Sequence, residues 1–137
     1  MEEKQIVKVL SANDTGETGG HQAGILVPKE PFLLSFFPVL DNTEYNPRVH
    51  LNFLDSSGGN WEFAFIYYNN AYFDGTRNEY RLTRMTKYLR QAGLVAGDEL
   101  ILSSENDRYR VSYNRRQKLQ SMGKVLQLGT GWRVVQL

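Results

Sequence analysis

Short runs in which apolar and polar residues alternate recur along most of the chain, separated by clusters of Gly, Asn, Asp and Ser. In RVHLNFL, residues 48–54, the apolar side chains would share one face, and His50 and Asn52 the other. This period of two is typical of a strand with one buried face. Seven or eight such runs in one chain of this size predict a mainly β barrel or sandwich. The predicted strands are residues 4–10, 23–28, 48–54, 61–68, 98–103, 108–113, 124–128 and 132–136.

Two segments depart from this period and predict short helices. The first would run from about Glu30 to Phe37. Pro31 suits its first turn, where a missing N–H costs little, and Pro38 would end it. In the second, Thr86 is the expected N-cap and Gly93 the C-terminal stop.

Composition narrows the class of protein. A chain of 137 residues without cysteine predicts one domain, residues 1–137, with no disulfide and no thiolate zinc site. No apolar run approaches the roughly 18 residues of a membrane span, and the N-terminus does not resemble a signal peptide. We therefore expect a soluble, cytoplasmic protein with no membrane partner.

The near-neutral net charge of +1 conceals an asymmetry. Residues 1–75 hold four Lys/Arg against ten Asp/Glu, whereas residues 76–137 hold twelve against five. A basic half is expected where a polyanion docks, because each neutralised phosphate releases counterions. A basic, solvated face is the alternative explanation.

Motifs of catalysis are missing from the sequence. His21 and His50 lie in neither HExxH nor HxH spacing, no GxSxG occurs, and the glycine-rich TGETGGHQAG lacks the Walker order. No acidic pair followed by an ExK-type carboxylate and lysine is present to hold Mg²⁺. We predict no catalytic residue, no metal site and no cofactor in this chain.

Two segments have unusual compositions. SANDTGETGGHQAG, residues 11–24, is rich in residues that permit positive φ or bond to their own backbone, and predicts a shaped loop. In FDGTRNEYRLTR, residues 73–84, an extended backbone would place Arg77, Glu79 and Arg81 on one face. Such a row could read successive G·C pairs, or it could be an ion-pair ladder on a solvated sheet.

Together these two segments resemble the DNA-recognition effector domain of EcoRII-type restriction endonucleases, a relative of the plant B-three domain. The resemblance extends from about Lys8 to at least Val111 and includes the strand GDELIL. It implies an open seven-stranded β pseudobarrel with two short helices and two arms that grip the major groove. Residues 11–24 would be the first arm and residues 73–84 the second arm. The implied or inferred DNA contacts are His21, Arg77, Glu79 and Arg81, with Asn13, Thr15, Thr18, Gln22, Asn78, Tyr80 and Arg84 as further candidates.

Some positions depart from the family pattern. A family tyrosine falls on Leu26, and two family lysines fall on Gly75 and Tyr80, so contacts made by those side chains do not carry over. Tyr80 could stack or donate instead, or serve the core. The acidic residues Asp14 and Glu17 of the first arm would either accept from cytosine amino groups or tie the arm to its neighbours.

The resemblance implies a module of a type II restriction endonuclease from a prokaryotic cytoplasm, with CCWGG (W is A or T) as target. Double-stranded DNA is the expected partner, bound by a monomer. A nuclease domain of the parent protein, with its Mg²⁺, would lie outside this chain. A stand-alone transcription-factor-like DNA binder is one alternative. The other is a β-barrel that uses WEFAFIYY, residues 61–68, as a ligand wall, although alternate aromatics on a strand normally face the core.

Overall fold

The structure, a computed structural model, describes residues 3–16, 24–116 and 131–135. In these residues eight strands form one sheet, which curls into an open half-barrel. The strands are β1 (Glu3–Val9), β2 (Ile25–Val27), β3 (Arg48–Asp55), β4 (Asn60–Tyr68), β5 (Glu79–Thr83), β6 (Glu99–Glu105), β7 (Arg108–Asn114) and β8 (Trp132–Val135).

The strand order across the sheet is β2-β5-β4-β3-β7-β6-β1-β8. Neighbours are antiparallel except β3 and β7, which run parallel. The predicted mainly β, open barrel-like class is confirmed, with eight strands where the resemblance implied seven. The additional predicted strand at 124–128 lies outside the described residues. Residues 79–83 form β5. They are not among the predicted strands, and an extended backbone was considered there only as a condition for the row of charged residues.

Short helices lie between the strands: α1 (Ala12–Thr15), α2 (Pro31–Leu34) and α3 (Thr86–Ala92), with a 3₁₀ turn at Asn70–Phe73. The predicted first helix is therefore correct in place but stops before Ser35. Thr86 is the first helical residue and not the cap, because Met85 occupies the position before it. Gly93 ends α3 as predicted, with a φ of 68° that glycine adopts without strain.

The core lies on the inner face of the curled sheet, where alternate strand residues meet. Phe53, Phe63, Leu82, Leu100 and Leu102 are fully buried there. Most of the aromatic run on β4 is thus core, as interpreted from the sequence. β4 is also buried on its outer side, at Ala64 and Ile66, because strands flank it on both sides and side chains cover it.

A side chain links the two open edges of the sheet. Trp132 on the last strand, β8, is 3% exposed, and its indole Nε1–H donates to the carbonyl oxygen of Leu26 on β2 at 2.9 Å. β2 and β8 are the two ends of the strand order. Among the described residues, the half-barrel is therefore tied across its opening by a hydrogen bond from a side chain and not by backbone pairing.

Candidate nucleic-acid interface

The first arm begins with a helix, which corrects the prediction of a loop throughout residues 11–24. Ser11 and Asp14 form a capping box: the Asp14 N–H donates to Ser11 Oγ at 3.1 Å, and the Ser11 N–H donates to Asp14 Oδ2 at 2.9 Å. Gly16 ends α1 with a φ of 85°. The four-residue α1 is thus defined by its capping bonds.

Asp14 also ties the arm to the sheet. Its Oδ2 lies 3.2 Å from Nζ of Lys8 on β1, and both side chains are 9% exposed. Of the two roles considered for this acidic residue, the structure favours the anchoring one. Its carboxylate is a buried partner of Lys8 and does not add free negative charge to the surface.

The predicted contact residues of the first arm divide into two groups. Asn13 is exposed on α1, and Thr15 on the same helix donates from Oγ1 to the Ala12 carbonyl at 3.2 Å. Thr18, His21 and Gln22 lie outside the described residues, as does Glu17. Of the predicted contact residues in the first arm, the structure therefore describes only Asn13 and Thr15, which lie on α1.

In the second arm, Arg77, two residues before β5, lies on the same side as Glu79 and Arg81 on β5, as predicted. Glu79 Oε2 accepts from Nη2 of Arg77 at 2.8 Å and from Nε of Arg81 at 2.6 Å. The side chains are 37%, 29% and 20% exposed in the order Arg77, Glu79, Arg81. This Arg-Glu-Arg row is an ion-pair network within residues 77–81 that is fixed in place yet reachable from solvent.

Further contacts hold both guanidinium groups. The Arg77 guanidinium carbon lies 3.9 Å from the ring centre of Tyr68, and Arg81 donates from Nη1 to the carbonyl oxygen of Gly24 at 2.9 Å. Gly24 belongs to the end of the first arm, so Arg81 joins the two arms. The hydrogen bond from Arg77 is the main reason that the pKa of Glu79 is lowered; partial burial opposes this shift and Arg81 adds to it. The Glu79 carboxyl is therefore ionised at neutral pH and acts as an acceptor.

Asn78, just before β5, and Tyr80 on β5 lie on the opposite side, also as predicted. The Tyr80 ring stacks on Tyr67 and Phe65, with centroid distances of 4.3 and 5.5 Å. Asn78 Oδ1 accepts from the Tyr67 hydroxyl at 2.6 Å and from Lys29 Nζ at 2.5 Å. The Tyr80 ring thus packs against the aromatic core, and its candidacy as a DNA contact stays a prediction.

Arg84 follows β5 in a left-handed conformation, with a φ of 66°. Arg84 lies outside the helix that carries Lys87 and Arg90, because α3 starts only at Thr86. Nη1 of Arg84 lies 2.9 Å from Glu62 Oε1 in an exposed ion pair. Such a pair contributes little to stability, about 0 to 1 kcal/mol, so the guanidinium can exchange partners at small cost.

A shallow groove of about 440 Å³ separates α1 from the outer faces of β4 and β5. Both arms contribute to it, and three guanidinium groups line it. The lining residues are Asp14, Gly24, Ile25, Arg48, Ile66, Tyr68, Arg77, Thr83, Arg84, Met85 and Thr86. Sequence reasoning missed Arg48 and Tyr68 as members of this site. The polar face of RVHLNFL was a signal for Arg48, but only strand pairing shows that this face adjoins the second arm.

Neither a metal-binding cluster nor a membrane-spanning helix occurs among the described residues. In residues 3–16, 24–116 and 131–135, no three His, Asp or Glu side chains are grouped so that they could hold a metal ion. The same part of the chain contains no helix long and apolar enough to cross a membrane.

Comparison with known proteins gives a family for this arrangement. The family described as restriction endonuclease EcoRII, N-terminal, matches residues 2–94. The type II restriction enzyme EcoRII of Escherichia coli is 47% identical in an 81-residue alignment that covers 57% of this chain and 20% of that enzyme. The chain thus matches about a fifth of that relative's length. Because the family match covers more than half of the 137 residues, this chain belongs to the family of EcoRII-type restriction endonuclease N-terminal domains.

Proposed function

We propose that this chain binds double-stranded DNA sequence-specifically, as the recognition module of a type II restriction endonuclease. The observation that carries the proposal is the Arg-Glu-Arg row of the second arm, a set of charged donors and acceptors held by one shared carboxylate oxygen. Arg77 of this row also lines the groove shared with the first arm. The similarity to a restriction enzyme supports the same function.

The chemistry of the row suits G·C pairs in the major groove. Arg can donate two hydrogen bonds to O6 and N7 of guanine, and Glu can accept from N4 of cytosine. A guanidinium has five N–H donors. Among the described residues, Arg77 donates once and Arg81 twice, so each retains enough N–H groups for a bidentate contact. Both arginines bond to Oε2 of Glu79, and its Oε1 is the proposed acceptor for cytosine.

The target we propose is CCWGG. Asn13, Thr15, Thr18, His21 and Gln22 would supply donors and acceptors from the first arm. The five-base-pair site has an odd centre and is only pseudo-symmetric, so one monomer can bind it asymmetrically. The basic half of the sequence would supply salt-dependent affinity for phosphates.

We further propose that DNA cleavage belongs to other parts of a parent protein in a prokaryotic cytoplasm. A nuclease domain there would use Mg²⁺, whereas this domain would use no cofactor. Cutting of a cognate duplex by the 137-residue chain alone with Mg²⁺ would contradict this division of roles.

The test compares binding to a duplex with one CCWGG site and to a scrambled duplex at about 0.1 M salt. We expect Arg81→Ala to weaken the specific complex by about 1–3 kcal/mol, the range for losing one bidentate base contact. Arg133→Ala is the matched control, because Arg133 is exposed on β8, at the far end of the strand order from β5, and does not line the groove. Equal binding of wild type to both duplexes would refute the proposed target, and no binding to either would refute DNA recognition altogether.

A further inference from the structure

Strand pairing aligns a cation on β3 with the Arg-Glu-Arg row. Arg48 lies opposite Ile66 on β4, and Ile66 lies opposite Arg81 on β5. Paired residues in a sheet point to the same face, and neighbouring strands are about 4.8 Å apart. The Arg48 backbone is therefore about 10 Å from that of Arg81, on the same outer face of the sheet.

Arg48 starts a longer polar row. Arg48, His50 and Asn52 alternate with Val49 and Leu51 along β3, and all three polar residues are exposed. We call these three residues the β3 row. The alternation keeps the whole row on the outer face, the face that carries the second arm.

The guanidinium of Arg48 is only weakly engaged. Its Nε and Nη2 each lie 3.4 Å from the carbonyl oxygen of Asn46, two residues away. Among the described residues, no carboxylate lies within ion-pair distance of Arg48, whereas Arg84 pairs with Glu62. Arg48 nevertheless lines the groove between the arms. A solvent-facing cation with such long bonds has donors to offer an anion.

We propose that the β3 row binds the sugar-phosphate backbone of DNA next to the recognition site. This inference rests on the proposed function. A duplex whose base edges meet the Arg-Glu-Arg row would extend sideways over β4 towards β3, so its backbone would meet the β3 row. Arg, Asn and His side chains are suitable donors to phosphate oxygens. The row thus adds affinity and register without reading bases.

The test is the triple substitution Arg48→Ala, His50→Ala and Asn52→Ala, assayed on two duplexes. Both carry one CCWGG site; one ends just outside it, and the other extends about 10 bp, one helical turn, on each side. We expect wild type to bind the longer duplex more tightly and the triple variant to lose most of that advantage. The slope of log K against log salt should fall by about 1, for the lost contact of the charged Arg48 side chain with phosphate. The preference for CCWGG over a scrambled site should not change.

Lys4→Ala on β1 with Arg133→Ala on β8 is the control for removing exposed positive charge, because both residues are exposed on strands that are not neighbours of β3, and it should keep the wild-type preference for the longer duplex. The replaced β3 residues are exposed, so the triple variant should fold like wild type. Its thermal unfolding midpoint checks this. If wild type binds CCWGG specifically and the triple variant binds both duplexes like wild type, only this inference is wrong. A reduced preference for CCWGG in the triple variant would also overturn it, since the row would then read bases. If wild type binds no duplex, the proposed function and this inference both fail.

Discussion

Glu79 decides how the two arginines of the second arm are presented. One of its oxygens accepts from both guanidinium groups, and the bond from Arg77 is the main cause of its lowered pKa. An ionised carboxylate at this point orients both cations and cancels part of their charge. In a DNA interface, that balance favours base reading over indiscriminate attraction to phosphates.

Glu79→Gln should therefore loosen specificity and strengthen nonspecific binding. The amide keeps the length of the side chain, but it removes the negative charge that holds both guanidinium groups. We expect the free-energy preference for CCWGG over scrambled DNA to fall by about 1–3 kcal/mol, while affinity for scrambled DNA rises. Titrating both duplexes with wild type and variant measures the two effects. An unchanged preference would show that Glu79 neither reads bases nor orients the arginines that do.

At the residue scale, the local pattern was informative and the long-range contacts were not. The alternation in TRNEYR correctly separated Arg77, Glu79 and Arg81 from Asn78 and Tyr80, because a strand's side-chain period is two. The bond from Arg81 to Gly24 and the stacking of Arg77 on Tyr68 depend on which distant segments become neighbours. No pattern within one segment carries that information.

At the scale of elements, turn and cap chemistry determines structures that hydrophobic periodicity misses. The β3–β4 hairpin turns around Asp55, whose carboxylate accepts from the Trp61 indole at 2.7 Å and from Ser57 and Gly59. α1 likewise depends on the reciprocal bonds of Ser11 and Asp14. Its four residues are too few to show a helical period, which explains why residues 11–24 were predicted as a loop throughout.

The Asp55 turn gives a prediction about pH. Hydrogen bonds, led by that from Trp61, hold the pKa of Asp55 well below its ordinary value of 3.8. A carboxyl group whose pKa is lower in the folded than in the unfolded protein stabilises the fold at pH values above its unfolded-state pKa. This stabilisation is lost as the pH falls through the folded-state pKa. Asp55→Asn should therefore be less stable than wild type at neutral pH, and the difference should shrink below pH 3.8. Urea unfolding of both proteins at neutral pH and near pH 3 measures it. A difference that stays constant with pH would mean that the charge of Asp55 does not matter.

At the scale of the whole molecule, closure of the half-barrel depends on the bond from Trp132 to the Leu26 carbonyl. It ties the last described strand to the strand that follows the first arm. The class of fold was predictable, since eight short apolar runs with turn residues between them can hardly bury their faces except in a curled sheet. The strand order was not, because it depends on pairings across nearly the whole chain.

Trp132→Phe should destabilise the chain by about 1–3 kcal/mol, because it leaves a partly buried carbonyl without its donor. Val134→Ala on the same strand is the control. Val134 is 44% exposed, and a surface substitution of this kind should stay within about 0.5 kcal/mol of wild type. Denaturant unfolding of the three proteins provides the comparison. Equal stability of Trp132→Phe and wild type would show that the indole bond does not hold the opening.

The position of β1 has a consequence for synthesis on the ribosome. β1 is near the N-terminus, yet its two neighbours in the sheet are β6 and β8, which begin at Glu99 and Trp132. After β1 emerges, it therefore waits with both backbone edges unpaired while about 90 further residues are made, roughly 5 to 20 s at usual translation rates. A fragment cut at residue 94, where the family match ends, would leave β1 in that state permanently, so it would be a substrate for chaperones or aggregation rather than a smaller version of this domain.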